Sequence, residues 1–507
     1  MKGKIIYGRS EVGTWKAMNP IDLTIVVSTI IVLCSAVSED PIVQTKYGLI
    51  RGSVELSISG REYYAFRGIP YATPPVGNLR FKAPEPPVKW THVLPVQEDS
   101  QHCLQKNYLF SNPRVIGSED CLYLNVYTPK LRARRHTPKS RLQPVMVFIH
   151  WGGFFTGFAS SDYLGPEYLM EKNVVLVTFN YRLGILEDIT NDDTAPGNFG
   201  LKDQVAALKW VQDNIENFGG NNDKVTIFGQ SAGGASVNFH MFSPESRSLF
   251  QQGISQSGTS LAIWAKPFSG TQMHLVKAQA KFVGCPETDN TTLIVDCLRN
   301  VGAEDLVNSG DKFKFFSVDP YTVYYPSVEK RTKNNPKPFI TKQPVEYIRN
   351  REFYKVPWII GVVDDEGLIR AEALLRQTQT RQTLNHNFHT IMPHLMGITR
   401  QHFKKCPKML YTDRAFAYSS YQAGLFHNFQ GHNDIWFYNF NYSGQYSYGD
   451  IFAATKEDID YEWGVSHCDD LLYLFKSPAI FQELKKTNDK IMKDTMIELW
   501  TNFAIYG

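Results

Sequence analysis

A short apolar run, Val225-Thr226-Ile227-Phe228, leads directly into Gly229-Gln230-Ser231-Ala232-Gly233, and a helix-compatible stretch follows at residues 235–242. This succession constrains the fold more than anything else in the sequence. A strand has to become a helix within a few residues, in a turn too tight for side chains at its two glycines, which leaves the Ser231 hydroxyl exposed at the tip. A serine hydroxyl is a weak nucleophile at neutral pH. It becomes useful only beside a base that takes its proton and donors that hold the resulting oxyanion. The competing reading, a Gly-rich turn with an incidental serine, does not explain the flanking strand and helix.

Two earlier runs, residues 145–149 and 174–179, are apolar, rich in β-branched residues and without a polar alternate face, as suits strands covered on both sides. Between 174–179 and 225–228 lie Leu201, Val205, Leu208, Val211, Ile215 and Phe218, spaced as one face of a helix that Gly219-Gly220 would end. Strand, helix, strand implies a parallel, doubly covered sheet. Further strands are expected at residues 252–257, 356–363 and 434–441. Residues 43–54 read as two short strands around Tyr47-Gly48, and residues 66–87 as a Pro/Gly-rich connector. A chain of 507 residues could hold about three domains at roughly 150 residues each. The irregular intervals and lack of an internal repeat point instead to one α/β domain with large helical insertions.

The chemistry needs partners for Ser231. His150-Trp151-Gly152-Gly153-Phe154 follows the strand at 145–149, and its adjacent glycines let backbone N–H groups approach a substrate oxygen; the amide of Ala232 would complete an oxyanion hole. The base has to come from thirteen histidines. His467 has a case because it precedes an apparent helix start at residues 469–475, whereas His386, His389 and His394 sit in unpatterned stretches. For the acid, Asp364-Asp365-Glu366-Gly367 ends the strand at 356–363, where open sheets place catalytic side chains, and the residues alone leave all three acids open. The order serine, acid, histidine is that of an α/β-hydrolase.

Charge and the leader bound the setting. With 53 Lys+Arg against 50 Asp+Glu, a net charge of +3 gives no footprint for nucleic acid. Lys2, Lys4, Arg9 and Lys16 precede an apolar run at 21–36 that closes on Ala36-Val37-Ser38, a pattern read as a cleaved signal peptide over residues 1–38. The run holds Asp22, Thr24 and Ser28 and is shorter than the roughly 20 apolar residues of a membrane span, so no stable span is expected. Met18 as the start would give a shorter, more ordinary leader. The triplets Asn290-Thr291-Thr292 and Asn441-Tyr442-Ser443 are candidate glycosylation sites of a secreted chain. Residues 130–141 hold six Lys/Arg, read as a solvated hairpin loop between strands near 124–127 and 145–149; cleavage after Arg135 and polyanion binding are the sharper alternatives.

Several stretches together identify the sequence as similar to the type-B carboxylesterase and cholinesterase family, and most closely to secreted insect esterases. They are Phe66-Arg67-Gly68-Ile69-Pro70-Tyr71-Ala72, Ser118-Glu119-Asp120-Cys121-Leu122-Tyr123-Leu124-Asn125-Val126, Gly197-Asn198-Phe199-Gly200-Leu201-Lys202-Asp203-Gln204, and the nucleophile motif continued by Gly234-Ala235-Ser236. The resemblance implies an α/β-hydrolase fold over residues 39–507. It also implies Ser231 as nucleophile, His467 as base, Glu366 as the acid that orients it, and an oxyanion hole from the amides of Gly152, Gly153 and Ala232. The substrate would be a small-molecule ester, with no metal or organic cofactor. The same resemblance pairs Cys103 with Cys121 and Cys285 with Cys297. Cys34 would leave with the leader, Cys406 and Cys468 match no family bridge, and Cys468 reads as a buried small hydrophobe.

The sequence departs from the family pattern in three ways. Trp151 replaces the first glycine of the oxyanion triplet, putting bulk on the acyl side. Gln230 stands where cholinesterases have a glutamate, and the loop from Cys103 to Cys121 has no tryptophan, which argues against a choline-ester specialist. Relatives continue for several dozen residues beyond Trp500-Thr501-Asn502-Phe503-Ala504, so a C-terminal strand is expected to be missing. Within the enzyme class, the Gly-Gln-Ser-Ala-Gly form also suggests a juvenile-hormone-type esterase. A ligand-sequestering or adhesion protein on an esterase scaffold is the reading from another class.

Overall fold

The computed structural model describes residues 40–507 except 111–112, 133–137, 188, 268–271, 376–377, 396–411 and 454–463. The expected leader with Cys34, Arg135 with the alternative of cleavage after it, and Cys406 lie outside the described residues. Pro41–Gly507 forms one compact unit.

Its centre is a nine-stranded sheet. In chain order the strands are β1 (Ser53–Leu56), β2 (Glu62–Pro70), β3 (Tyr123–Thr128), β4 (Gln143–Ile149), β5 (Val175–Phe179), β6 (Gly220–Gln230), β7 (Gln252–Gln256), β8 (Trp358–Val363) and β9 (Ile435–Phe440). In space they run β9-β8-β7-β6-β4-β5-β3-β2-β1. The six from β9 to β5 are parallel, and β3, β2 and β1 extend the sheet antiparallel. All residues of β5 and β7 are buried; in β5 the unbroken apolar run suits a strand with helices on both faces, whereas β7, Gln252–Gln256, buries polar side chains as well.

We label the helices used below α1 (Phe199–Asn214), α2 (Ala232–Phe242), α3 (Met273–Phe282), α4 (Thr291–Asn300), α5 (Tyr418–Phe429) and α6 (Thr487–Tyr506). The six residues read as one face of α1 are all buried, and the helix tightens into a 3₁₀ turn to Phe218 before Gly219 ends it at φ 80°. The strands around Tyr47-Gly48 pair antiparallel, with Val43 opposite Ile50.

Three sequence expectations need correction. Residues 66–70 are strand, the second half of β2, and not part of a connector. A bulge between Phe66 and Ile69 shifts the register there, with Gly68 at φ 75°, and breaks the alternation that would have marked the strand. Residues 130–141 do not close a hairpin either, because β5 lies between β3 and β4 and pairs with both. The stretch 469–475 begins as expected but forms only a 3₁₀ turn, Asp469–Tyr473.

Both expected disulfides form. Cys103 bridges Cys121, and Cys285, just after α3, bridges Cys297 within α4. Cys468 is buried and unbridged.

Candidate active site

The sheet topology puts the chemistry in one crevice. From β4 the chain passes to β5 on one side and then crosses to β6 on the other, so the strand order reverses at β4 and the carboxyl ends of β4 and β6 open side by side. Ile149 pairs with Gly229 in this register. Ser231 therefore follows the end of β6 at the same level as the Trp151-Gly152-Gly153 turn that follows β4.

The turn at Ser231 has the tightness read from the sequence. A Cβ on Gly233 would lie 1.9 Å from the carbonyl oxygen of Ile149, and one on Gly229 would lie 2.6 Å from the backbone of Gly233. No side chain fits at either position. Ser231 itself sits at φ 57°, ψ −118°, a conformation rare for a residue with a Cβ, held because its N–H donates to Gln256 O at 2.7 Å and its carbonyl accepts from Ala235 N at 2.9 Å. The helix α2 starts at Ala232, so the Ala232 amide belongs to the first turn, whose N–H groups have no partner within the helix.

Across the crevice, Gly152 and Gly153 have φ of 113° and 57°. A Cβ on Gly152 would meet Thr156 O at 2.0 Å. The preceding His150 is a structural residue: its ring stacks on Tyr181 at 4.2 Å, Nδ1 lies 2.8 Å from Trp151 O, and burial pulls it down to about 4. Trp151 is 2% exposed, packs edge-on against Phe158 and Tyr448, and lines the cavity beside the glycines, where bulk was expected.

Of the three adjacent acids after β8, Glu366 is fully buried; its Oε2 is hydrogen-bonded to His467 Nδ1, and its Oε1 accepts from Val363 N at 3.1 Å. Asp365 is exposed and accepts from Val465 N at 3.2 Å, while Asp364 is exposed and bonded to Asn439. His386 and His389 are exposed on the helical insertion.

No sequence pattern marks what holds His467 in place. Asp365 N donates to Val465 O at 3.0 Å, fastening the acid loop to the histidine loop. Asp469 accepts from Tyr448 N, Ser466 N and Ser447 Oγ at 2.7–2.9 Å, yet burial still pushes it up to about 7. Asp470 accepts from Gln256 Nε2 at 2.7 Å and Tyr438 Oη at 2.9 Å, and burial raises it as well. Two acids read in the sequence only as part of an apparent helix start are thus anchors of the turn that carries His467. The Phe416 ring packs 4.6 Å from the imidazole.

Ser231, His467, Gly152 and Gly153 line one cavity of about 680 Å³. Its walls are largely apolar, built from Leu109, Trp151, Phe155, Trp264, Tyr321 and Phe416. Most of these come from loops and insertions far apart in the chain. No local pattern marks such residues.

A sequence model of the carboxylesterase family matches residues 39–507. The chain belongs to the carboxylesterase family. It is 52% identical to juvenile hormone esterase of Tribolium castaneum over 94% of this chain and 85% of that one. It is 36% identical to venom carboxylesterase-6 of Apis mellifera over 92% and 86%. Among solved structures it resembles juvenile hormone esterase of Manduca sexta with OTFP covalently attached, at a TM-score of 0.78 and 29% identity over 92% of this chain and 90% of that one. The fold is the α/β-hydrolase fold, and as a member of the family the chain is a serine carboxylic-ester hydrolase acting on small-molecule esters. No helix among the described residues is long and apolar enough to cross a membrane.

Proposed function

We propose that this carboxylesterase hydrolyses a juvenile-hormone-type substrate, an ester with a long apolar acyl chain, through acyl-enzyme formation at Ser231. What carries the catalytic part is that Ser231, His467 and the two glycines line one cavity while Glu366 holds the far side of the imidazole. His467 takes the Ser231 proton as the hydroxyl attacks the ester carbonyl. Glu366 accepts from Nδ1–H, fixing the tautomer and balancing the imidazolium that forms. The amides of Gly152, Gly153 and Ala232 hold the oxyanion. The protonated imidazole then gives its proton to the leaving alcohol. Water activated by the same base releases the acid and regenerates Ser231.

The substrate reading is supported by 52% identity to a juvenile hormone esterase over nearly the whole chain and by the apolar cavity wall. The test compares kcat/KM for an epoxy-farnesoid methyl ester with that for short aryl esters. We expect the farnesoid ester to be preferred. A preference for aryl esters by orders of magnitude would leave a general esterase and retire the hormone reading.

The protein is further proposed to be secreted, with residues 1–38 as its signal peptide, and glycosylated at Asn290 and Asn441. Two disulfides suit an oxidising compartment, and both asparagines are exposed. Asn290 Oδ1 caps α4 through Thr292 N and Leu293 N at 3.1 and 3.3 Å, so a glycan on its nitrogen leaves the cap in place.

A further inference from the structure

Gln230, the last residue of β6, is fully buried, and its Nε2 lies 3.2 Å from His467 Nε2. The other imidazole nitrogen is hydrogen-bonded to Glu366 Oε2, a carboxylate that can only accept when ionised. Nδ1 therefore carries the proton, and Nε2 presents its lone pair to the Gln230 N–H, a weak contact at 3.2 Å that the Ser231 hydroxyl displaces when it gives up its proton. A carboxamide has a donor end and an acceptor end, and something has to select between them. Here Cys468 Sγ donates to Gln230 Oε1 at 3.2 Å, from the residue next to His467. Burial, with Asp470, Glu366 and Asp469 nearby, pushes that thiol well up, so it remains a donor.

We propose that Gln230 is a positioning residue for His467, turned by Cys468 so that its N–H meets the imidazole Nε2 and keeps that nitrogen an acceptor in the resting site. The inference rests on the reading of His467 as the general base. Once His467 has taken the Ser231 proton, its Nε2–H faces a donor and finds no support there. The proton is pressed onward to the leaving alcohol. A carboxylate at position 230 would do the reverse, accepting from the imidazolium and holding it. Among the described residues, the other charged or titratable groups around the imidazole are Glu366 on its Nδ1 side, Asp469 and Asp470 on the turn that follows, Ser231, and Arg370, which lines the cavity and is ion-paired with Asp319. None of them selects the end of the Gln230 amide that faces Nε2.

The test is the pH dependence of kcat/KM for a chromogenic butyrate between pH 5 and 8, measured on wild type, Cys468→Ala, Cys468→Ser and Gln230→Glu. Without the thiol the amide is free to turn its oxygen to Nε2, so Cys468→Ala is expected to move the acid limb upward by about half to one pH unit, several-fold in rate at the acid end. Gln230→Glu moves it further, by about one unit or more. Cys468→Ser restores a donor and returns the limb to its wild-type position. A purely structural role would lower the plateau and leave the limb in place. The proposal is overturned if both cysteine variants superimpose on wild type, or if alanine and serine shift the limb equally. The cysteine pair decides even if Gln230→Glu does not fold. His467→Ala separates the two layers: full activity in that variant would remove the base reading itself, whereas an inactive variant with an unmoved limb in Cys468→Ala would remove only the role of Gln230.

Discussion

Glu366 differs from Asp364 and Asp365 in what it touches, and that difference predicts unequal phenotypes at positions 366 and 364. Glu366→Gln leaves the fold in place but loses the charge that balances the imidazolium, and kcat is expected to fall on the order of a thousandfold or more. Asp364→Asn, at an exposed position bonded to Asn439, should stay within a few-fold of wild type. Steady-state kinetics on the two variants checks this, and equal losses would contradict it. Spacing alone could not make this choice, because three consecutive acids project in directions set by the partners that the fold brings to them. Resemblance supplied Glu366, and the buried bond to His467 gives the physical reason. The roles of Asp469 and Asp470 were not legible because most of their bonds reach residues 21 to more than 200 positions away, Tyr448, Tyr438 and Gln256 among them.

At the scale of elements, the strand-turn-helix at Ser231 was legible because its constraint is local. Gly229 and Gly233 are required by contacts within the turn and with the neighbouring strand end. Gly233→Ala would drive a Cβ into Ile149 O, and a loss of about 2–4 kcal/mol is expected from denaturant unfolding, the range of a severe packing clash. The central strands β4 and β5 were legible for a related reason, since burial on both faces leaves nearly unbroken apolar runs. β2 was half missed because its bulge interrupts the alternation, and the false hairpin arose because sequence order does not reveal that β5 inserts between β3 and β4. The Cys285–Cys297 bridge ties α3 to α4 around a 12-residue separation. Replacing both cysteines by alanine should cost about 3 kcal/mol by the loop-closure argument, read as a lower unfolding midpoint under non-reducing conditions.

For the whole molecule, stability is coupled to pH through histidines buried in neutral form. His240 on α2 is held by Ser246 Oγ at 2.6 Å and Gln204 Oε1 at 2.9 Å, and burial pulls it down to about 3. The unfolded chain binds a proton there below about 6.5 while the folded chain does not, so this contribution is full above that pH and is lost as pH falls toward 3. The loss amounts to about 1.4 kcal/mol per pH unit in that window. His240→Gln removes the titration, so the stability gap between wild type and variant should shrink between pH 7 and pH 5. A gap of constant size would contradict the neutral burial of His240. Such coupling could not be read from thirteen histidines in a sequence, because it depends on which of them the α/β core encloses.

The central claim is that ester hydrolysis passes through a covalent acyl group on Ser231. Its most direct test is hydrolysis of a chromogenic butyrate by wild type and Ser231→Ala, with intact-protein mass measured after rapid acid quench. The account predicts turnover and an acyl adduct in wild type, with both lost in the variant. Equal rates in the two proteins would contradict it.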